Sequence, residues 1–268
     1  MTGSAIVSLC MNRTIHSLIV FGVLVATPFQ ATADMFKPSV KDQIALGKRA
    51  SEQIHKDEKI LKDSDHRVEE VRKIGQKLVS LIPEEERKKK PFVYTFDVVE
   101  SKDLNAFALP GGPVFIYSGL LDKLTTEDQI VGILAHELTH VRNEHWASAY
   151  ADNQKRKLGL LVVLSLLSAN DTAFNIASVS DALIFELPYS RKQEQQADDV
   201  GYQLLTKAGY NPQGMVDVFE ILMKQSGGGK SSEWYSDHPA LQNRIDKIKD
   251  RISKSGVNFP EERDRTRG

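Results

Sequence analysis

The stretch Ala135-His136-Glu137-Leu138-Thr139-His140, AHELTH, sits inside a run from Glu127 to Tyr150 that has no proline and only Gly132 as a weak helix breaker. Thr126 is a suitable N-cap for that run, so the pattern predicts a helix from Glu127 to about Tyr150. Residues four apart on a helix share one face. His136 and His140 then aim two imidazoles at one point, and zinc accepts such nitrogens at about 2.0–2.1 Å. Glu137 is not needed to bind. Its carboxylate can hold the attacking water and take its proton as general base. Leu134, Leu138 and Val141 supply apolar surface to seat the helix. The competing reading is a coincidence of two histidines on a helix surface. It arises on the order of once in a hundred chains of this composition.

A catalytic zinc needs a third protein ligand and an open fourth position. His145 follows His136 by nine residues, which on a continuous helix turns it about 180° away. It reads as a surface or packing histidine. The extended three-histidine motif requires glycine where Asn143 stands and histidine where Trp146 stands, so it is absent. The acidic candidates lie downstream, in Ser190 to Gly201 (SRKQEQQADDVG). Glu194 and Asp198 are four apart and share a helical face. One reading makes Glu194 the third ligand and Asp198 the acceptor for a ligand histidine's N–H. The other makes them an exposed acidic face. Glu186 is a weaker rival, cut off from the helix by Pro188.

Outward from the motif, the organisation is mainly α with one small sheet. Apolar residues at helical spacing predict two helices between Ser39 and Leu81, broken near Asp63-Ser64-Asp65. The charge run Glu84 to Lys90 (EEERKKK) reads as a solvated loop. Phe92 to Val99 is strand-like, and Ala106–Leu109, Pro110-Gly111-Gly112 and Val114–Tyr117 read as a hairpin. Leu158 to Leu167 is almost wholly apolar and reads as a buried helix, or else as a membrane-dipping or partner-binding element. It is too short to cross a bilayer. Further helices are expected at about Ser190–Ala208, Pro212–Lys224 and Pro239–Ser253, with Gly227-Gly228-Gly229 as a flexible link. The expected division is a signal peptide over 1–33, one domain over 34–255, and a charged, disordered tail over 256–268.

The apolar fraction of 41% supports a full core, and a formal charge of −1 leaves no basic footprint for nucleic acid. Arg13, the short apolar run Leu18–Ala26 and Ala31-Thr32-Ala33 together read as a secretory signal cleaved before Asp34, with an uncleaved anchor as the alternative. The single cysteine, Cys10, precedes that apolar run, so the mature chain is expected to be held by its core and a metal rather than by disulfides.

Three separated motifs occur in order: HELTH, NAFALPGG at Asn105–Gly112, and SRxxExxAD at Ser190–Asp198. Together they resemble the zinc metallopeptidases of the HtpX and CaaX-prenyl-protease type, which are gluzincins with two histidines and a glutamate on the metal. The subgroup most resembled is the soluble periplasmic kind of BepA and LoiP. The resemblance implies a zincin-like domain with its sheet beside the active-site helix, one Zn2+ per chain, Glu194 as third ligand and Asp198 as its supporting partner. It implies that Ala106, Phe107, Ala108 and Leu109 bind an extended substrate by strand pairing. It also implies a periplasmic endopeptidase for unfolded or misassembled envelope proteins, with peripheral contact to the envelope membrane or the outer-membrane assembly machinery. The family's H-P pair corresponds to His238-Pro239, followed by Arg244, and implies that His238 regulates the zinc site or stabilises the transition state; Arg191 is another candidate donor. A turn residue ahead of the Pro239 helix is the plainer reading of His238. Only about fifteen residues follow the last expected helix, too few for one 34-residue helical repeat. Partner recruitment through such repeats is therefore not expected.

Overall fold

The computed structural model describes residues 36–167, 188–226 and 233–265. The signal segment, Glu186 and the Gly227–Gly229 link lie outside the described residues. Helices α1 (Val40–Asp57), α2 (His66–Ser80) and α3 (Glu84–Lys89) precede strands β1 (Thr95–Val99), β2 (Ala106–Ala108) and β3 (Pro113–Tyr117). Then follow α4 (Ser118–Leu121), α5 (Glu127–Arg142), α6 (His145–Leu167), α7 (Arg191–Lys207), α8 (Gln213–Ser226), α9 (Glu233–Asp237) and α10 (Leu241–Lys254). The class is the expected one, mostly helical with a single small sheet.

Polar caps set the helix starts. Ser39 with Asp42, Thr126 with Gln129 and Ser190 with Gln193 form reciprocal capping boxes at α1, α5 and α7. Each satisfies amide groups that a helix start leaves unpaired. Asp65 caps α2 with its side chain, so the Asp63–Asp65 break is also a helix start. The EEERKKK run is the short helix α3 rather than a loop, and Glu86 within it makes a two-pronged ion pair with Arg142, at 2.8 and 2.8 Å. Its segregated charge, acidic first and basic last, suits the helix dipole.

The sheet runs in the order β1-β3-β2, with β1 parallel and β2 antiparallel to β3. The β2–β3 hairpin turns at Gly111 and Gly112, whose φ values of 83° and 134° suit glycine. Helix α5 is buried from Asp128 to Val141 and packs against α2, α7, α8 and β2. It is the central rod of the fold. Gly132 lets α8 lie directly on it: a Cβ there would stand 2.7 Å from the Met215 Cα. No helix of the described residues is long and apolar enough to cross a membrane. The apolar Leu158–Leu167 stretch forms the end of α6, and the surroundings of its side chains beyond Leu158 lie outside the described residues.

Two further expectations are corrected. The motif helix does not reach Tyr150. It ends at Arg142, because Glu144 takes the left-handed φ of 54°, a conformation that cannot continue an α-helix. The carboxylate of Glu144 is held there by Lys90 at 2.8 Å and Gln43 at 2.9 Å. The charged tail is also not disordered as far as Arg265. Its Arg263 amide donates to the buried Asp128 at 2.7 Å, and its Arg263 carbonyl accepts the Glu127 amide at 2.8 Å. Arg265 pairs with Glu70 at 2.6 Å and donates to the Leu121 and Leu124 carbonyls. The tail thus crosses the start of α5 as a strap, held by the Arg263 backbone on Asp128 and Glu127 and by the Arg265 side chain on Glu70.

Candidate metal centre

Four side chains converge where α5, α7 and the α9–α10 corner meet. His136 and His140 come from α5, Glu194 from the first turn of α7, and His238 from the residue after α9. All four are buried, and their donor atoms lie within 4.8 Å of one another. His136 Nε2 is 3.1 Å from His140 Nε2 and 3.2 Å from His238 Nδ1. Glu194 Oε1 is 3.1 Å from His238 Nδ1 and 3.4 Å from His140 Nε2, and its Oε2 is 3.7 Å from His136 Nε2. Donors about 2.0–2.1 Å from one tetrahedral ion stand about 3.3–3.4 Å apart. The observed spacings bracket that value, so the residues present fit zinc.

Charge fits as well. Glu137, Glu194 and Asp198 are all buried, and the one guanidinium among them is that of the buried Arg244. With His136 and His140 neutral this leaves two surplus negative charges, or one when His238 is protonated, and a dication offsets them. Burial pushes His136 and His140 well below the ordinary histidine range, which keeps them neutral, as ligands must be. Burial would raise Glu194, but the nearby His238 and Arg244 outweigh it and hold the carboxyl low. Glu137 is pushed up to about 7, chiefly by burial. Its Oε1 accepts the indole N–H of Trp234 at 3.2 Å and lies 3.8 Å from His238 Nε2.

His136 and His140 each have a partner on the ring nitrogen that faces away from the cluster. Asp198 Oδ1 lies 3.1 Å from His136 Nδ1, in the expected supporting place. Asp198 is itself gripped by Arg244, whose Nε and Nη2 donate at 2.8 and 2.7 Å. Arg244 also pairs with Glu194 and covers the rings of Phe219 and Trp234, at 4.6 and 5.5 Å. His145 does not face away as expected. The break at Glu144 resets the helix phase and seats His145 Nδ1 3.1 Å from His140 Nδ1. With His140 Nε2 turned to a metal, its Nδ1–H must donate to His145. The Nε2–H of His145 then donates to Gln196 Oε1 at 3.3 Å. His145 is thus a packing histidine in the centre's wall, not a ligand.

Trp234, Arg244 and the His145–Gln196 pair are the residues that sequence reasoning left without a role. Trp234 stands one helical turn before His238 and stacks on it, ring centroids 4.3 Å apart at 13°; that i, i+4 spacing was the available signal. Arg191 is exposed, and Arg244 is the guanidinium at the centre. Glu137 and His238 line a cleft of roughly 970 Å³, together with Phe107, Ala108 and Leu109 of the hairpin. Ala106, expected beside them, turns its side chain into the core.

The sequence profile described as "Peptidase family M48" matches residues 65–252. Metalloprotease LoiP of Escherichia coli (strain K12) is 32% identical over 173 residues, covering 60% of this chain and 64% of that protein. Metalloprotease YcaL of the same strain is 31% identical over 164 residues, covering 59% and 62%. The beta-barrel assembly-enhancing protease of that strain is 28% identical over 193 residues, covering 69% and 38%. The match therefore spans less than two thirds of each of these relatives. The profile takes in the HELTH helix, Glu194 and Asp198 of α7, and His238. On that match the chain belongs to peptidase family M48.

Proposed function

We propose that the chain is a zinc-dependent endopeptidase, exported to the periplasm, that hydrolyses peptide bonds of unfolded or misassembled envelope proteins. The observation that carries it is the buried donor set of His136, His140 and Glu194 with Glu137 beside it, opening on a cleft bordered by β2 at the edge of the sheet. The name of the beta-barrel assembly-enhancing relative supports contact with the outer-membrane assembly machinery, and the signal-like N-terminus supports export.

His136, His140 and Glu194 would hold the zinc. When bound, zinc supplies Lewis acidity, polarising a carbonyl and making water acidic enough to attack at neutral pH. Glu137 takes the proton of the attacking water and delivers it to the leaving amine. Its burial and the Trp234 N–H fix that carboxylate toward the cleft. Asp198 orients His136, and Arg244 holds Asp198 in place. Strand pairing along 106–109 would hold the substrate backbone, giving broad preference and favouring extended, unfolded segments. His238 has two uses: to fill the fourth position and shut the centre, or, swung away, to donate to the oxyanion.

Glu137→Gln should retain zinc and lose at least about 100-fold in casein hydrolysis. Full activity in that variant would overturn the assignment. A second reading is favoured by the 3.1–3.2 Å approach of His238 Nδ1 to Glu194 and His136: the protein rests latent and acts mainly as a periplasmic chaperone that binds without cutting. His238→Ala distinguishes the two. Proteolysis unmasked by it, and abolished again by adding Glu137→Gln, supports a shut protease.

A further inference from the structure

We propose that helix α1 is the second wall of the substrate cleft and reads the charge of the bound peptide. It favours acidic side chains on the peptide's N-terminal side and basic ones on its C-terminal side. The proposal rests on the peptidase reading above. Helix α1 lies wholly ahead of the residues matched by the family profile, 65–252.

The packing fixes where α1 stands. Ala50 and Ile54 are buried in one cluster with Val99, Leu109 and Phe115. Gly47 touches the hairpin turn so closely that a Cβ there would overlap the Pro110 carbonyl oxygen. Further along, His55 meets Phe115 edge-on, centroids 5.7 Å apart, and Ile60, just past the helix, bridges to Val99. Moving along α1 is therefore moving along β3 from Pro113 to Tyr117, and against the direction of β2.

One stripe of α1 borders the cleft: Leu46, Arg49, Gln53 and Asp57, continued by Glu58. The steps of three and four residues keep the stripe on a single helical face. Arg49 is level with the Leu109 end of the hairpin, and Asp57 and Glu58 with the Asn105 end. Gln53 donates to both Asp57 oxygens, at 2.9 and 2.8 Å, and so holds that carboxylate in place. Among the described residues neither Arg49 nor Glu58 is tied up in an ion pair. A peptide that adds to β2 in the more stable antiparallel sense runs parallel to α1. Its N-terminal side then passes Arg49, and its C-terminal side passes Asp57 and Glu58. Such exposed pairs favour the matched peptide by about two- to five-fold per end, and salt weakens the preference.

The test uses the zinc-loaded full chain, in wild-type and His238→Ala backgrounds at low salt. Two fluorogenic peptides share one apolar centre. One carries Glu on its N-terminal flank and Lys on its C-terminal flank; the other carries the reverse. Casein is cut in parallel, and binding of both peptides is also read by fluorescence anisotropy in Glu137→Gln. The Glu-first peptide should have the lower KM and tighter binding. Arg49→Glu and the pair Asp57→Lys with Glu58→Lys should each erase or reverse that order, with zinc content and the circular dichroism spectrum unchanged. If casein is cut but the peptides are equivalent, or their order is opposite or survives both variants, the role of α1 is overturned and the peptidase reading stands. If neither casein nor any peptide is cut or bound in any background, the peptidase reading fails and takes this proposal with it.

Discussion

Replacing Asp198 with Asn tests whether the acid behind His136 serves the metal or only the fold. In the protein, Asp198 Oδ1 takes both the His136 Nδ1–H, at 3.1 Å, and the Arg244 Nη2–H, at 2.7 Å, while Oδ2 takes the Arg244 Nε–H at 2.8 Å. Asn keeps a single acceptor. Turned to serve His136, its amide N–H groups face the Arg244 Nε–H, so two donors meet in a buried place. Losing one partner of a buried pair costs about 3–5 kcal/mol. Arg244 keeps Glu194, so the lower end applies, about 3 kcal/mol. For a domain of this size that is a fall of roughly 6–12 °C in Tm. The metal should suffer separately: loss of such an orienting partner weakens binding about 10- to 100-fold, or about 1.4–2.7 kcal/mol. Zinc affinity by competition with a chelating dye, with melts of the metal-free and zinc-loaded protein, separates the two effects. A lowered Tm with zinc affinity within about two-fold of wild type would make Asp198 a residue of the fold alone. No change in either would refute the buried network.

His145→Phe removes the acceptor for the His140 Nδ1–H and should weaken zinc about ten-fold while shifting stability by less than about 1.5 kcal/mol; unchanged affinity in the dye competition would sink the relay through Gln196. Arg265→Ala removes an ion pair whose two side chains are 9% and 16% exposed, together with donors to two carbonyls. It should lower stability by about 2–3 kcal/mol, read as a shifted urea midpoint at constant m, and an unmoved midpoint would show that the tail strap holds nothing.

What was legible in the sequence was local. The HELTH pair, the capping residues and the hairpin are each decided within a turn or two of chain, and each lies where its spacing put it. Only the fold shows that Glu194 and Asp198 are buried, because the same i, i+4 pair reads as a solvated face until another helix is known to cover it. The stop at Arg142 was missed because Glu144 has ordinary helix propensity; its left-handed backbone is held by Lys90 and Gln43, both distant in sequence. That single residue reverses the expected direction of His145. The tail reads as disordered by composition, yet its Arg265 guanidinium finds Glu70 and its Arg263 backbone amide finds Asp128, 195 and 135 residues away. Arg244 and Trp234 are ordinary helix residues until α10 and α9 bring them to the centre. Long-range contacts between polar groups, charge pairs foremost, are the common element in what sequence could not reveal.

The same charge pairing has a price at Glu137. Three buried carboxyl groups stand against one guanidinium, and Glu137 is the one without a basic side chain in hydrogen-bond contact; its donor is the neutral Trp234 indole at 3.2 Å. A carboxylate so placed opposes folding, because burial removes water and Glu194 repels it. Gln at this position keeps an acceptor for Trp234 and removes the charge. The metal-free Glu137→Gln protein should therefore be more stable than metal-free wild type by about 1–2 kcal/mol, roughly 2–8 °C in Tm. The gain should shrink when zinc is bound, since the cation already balances the surplus. Melts of both proteins with and without chelator measure this directly. A lower Tm for the metal-free variant would mean that Glu137 is held by favourable contacts rather than against the fold, and the argument that this carboxylate is kept for chemistry rather than stability would lose its physical basis.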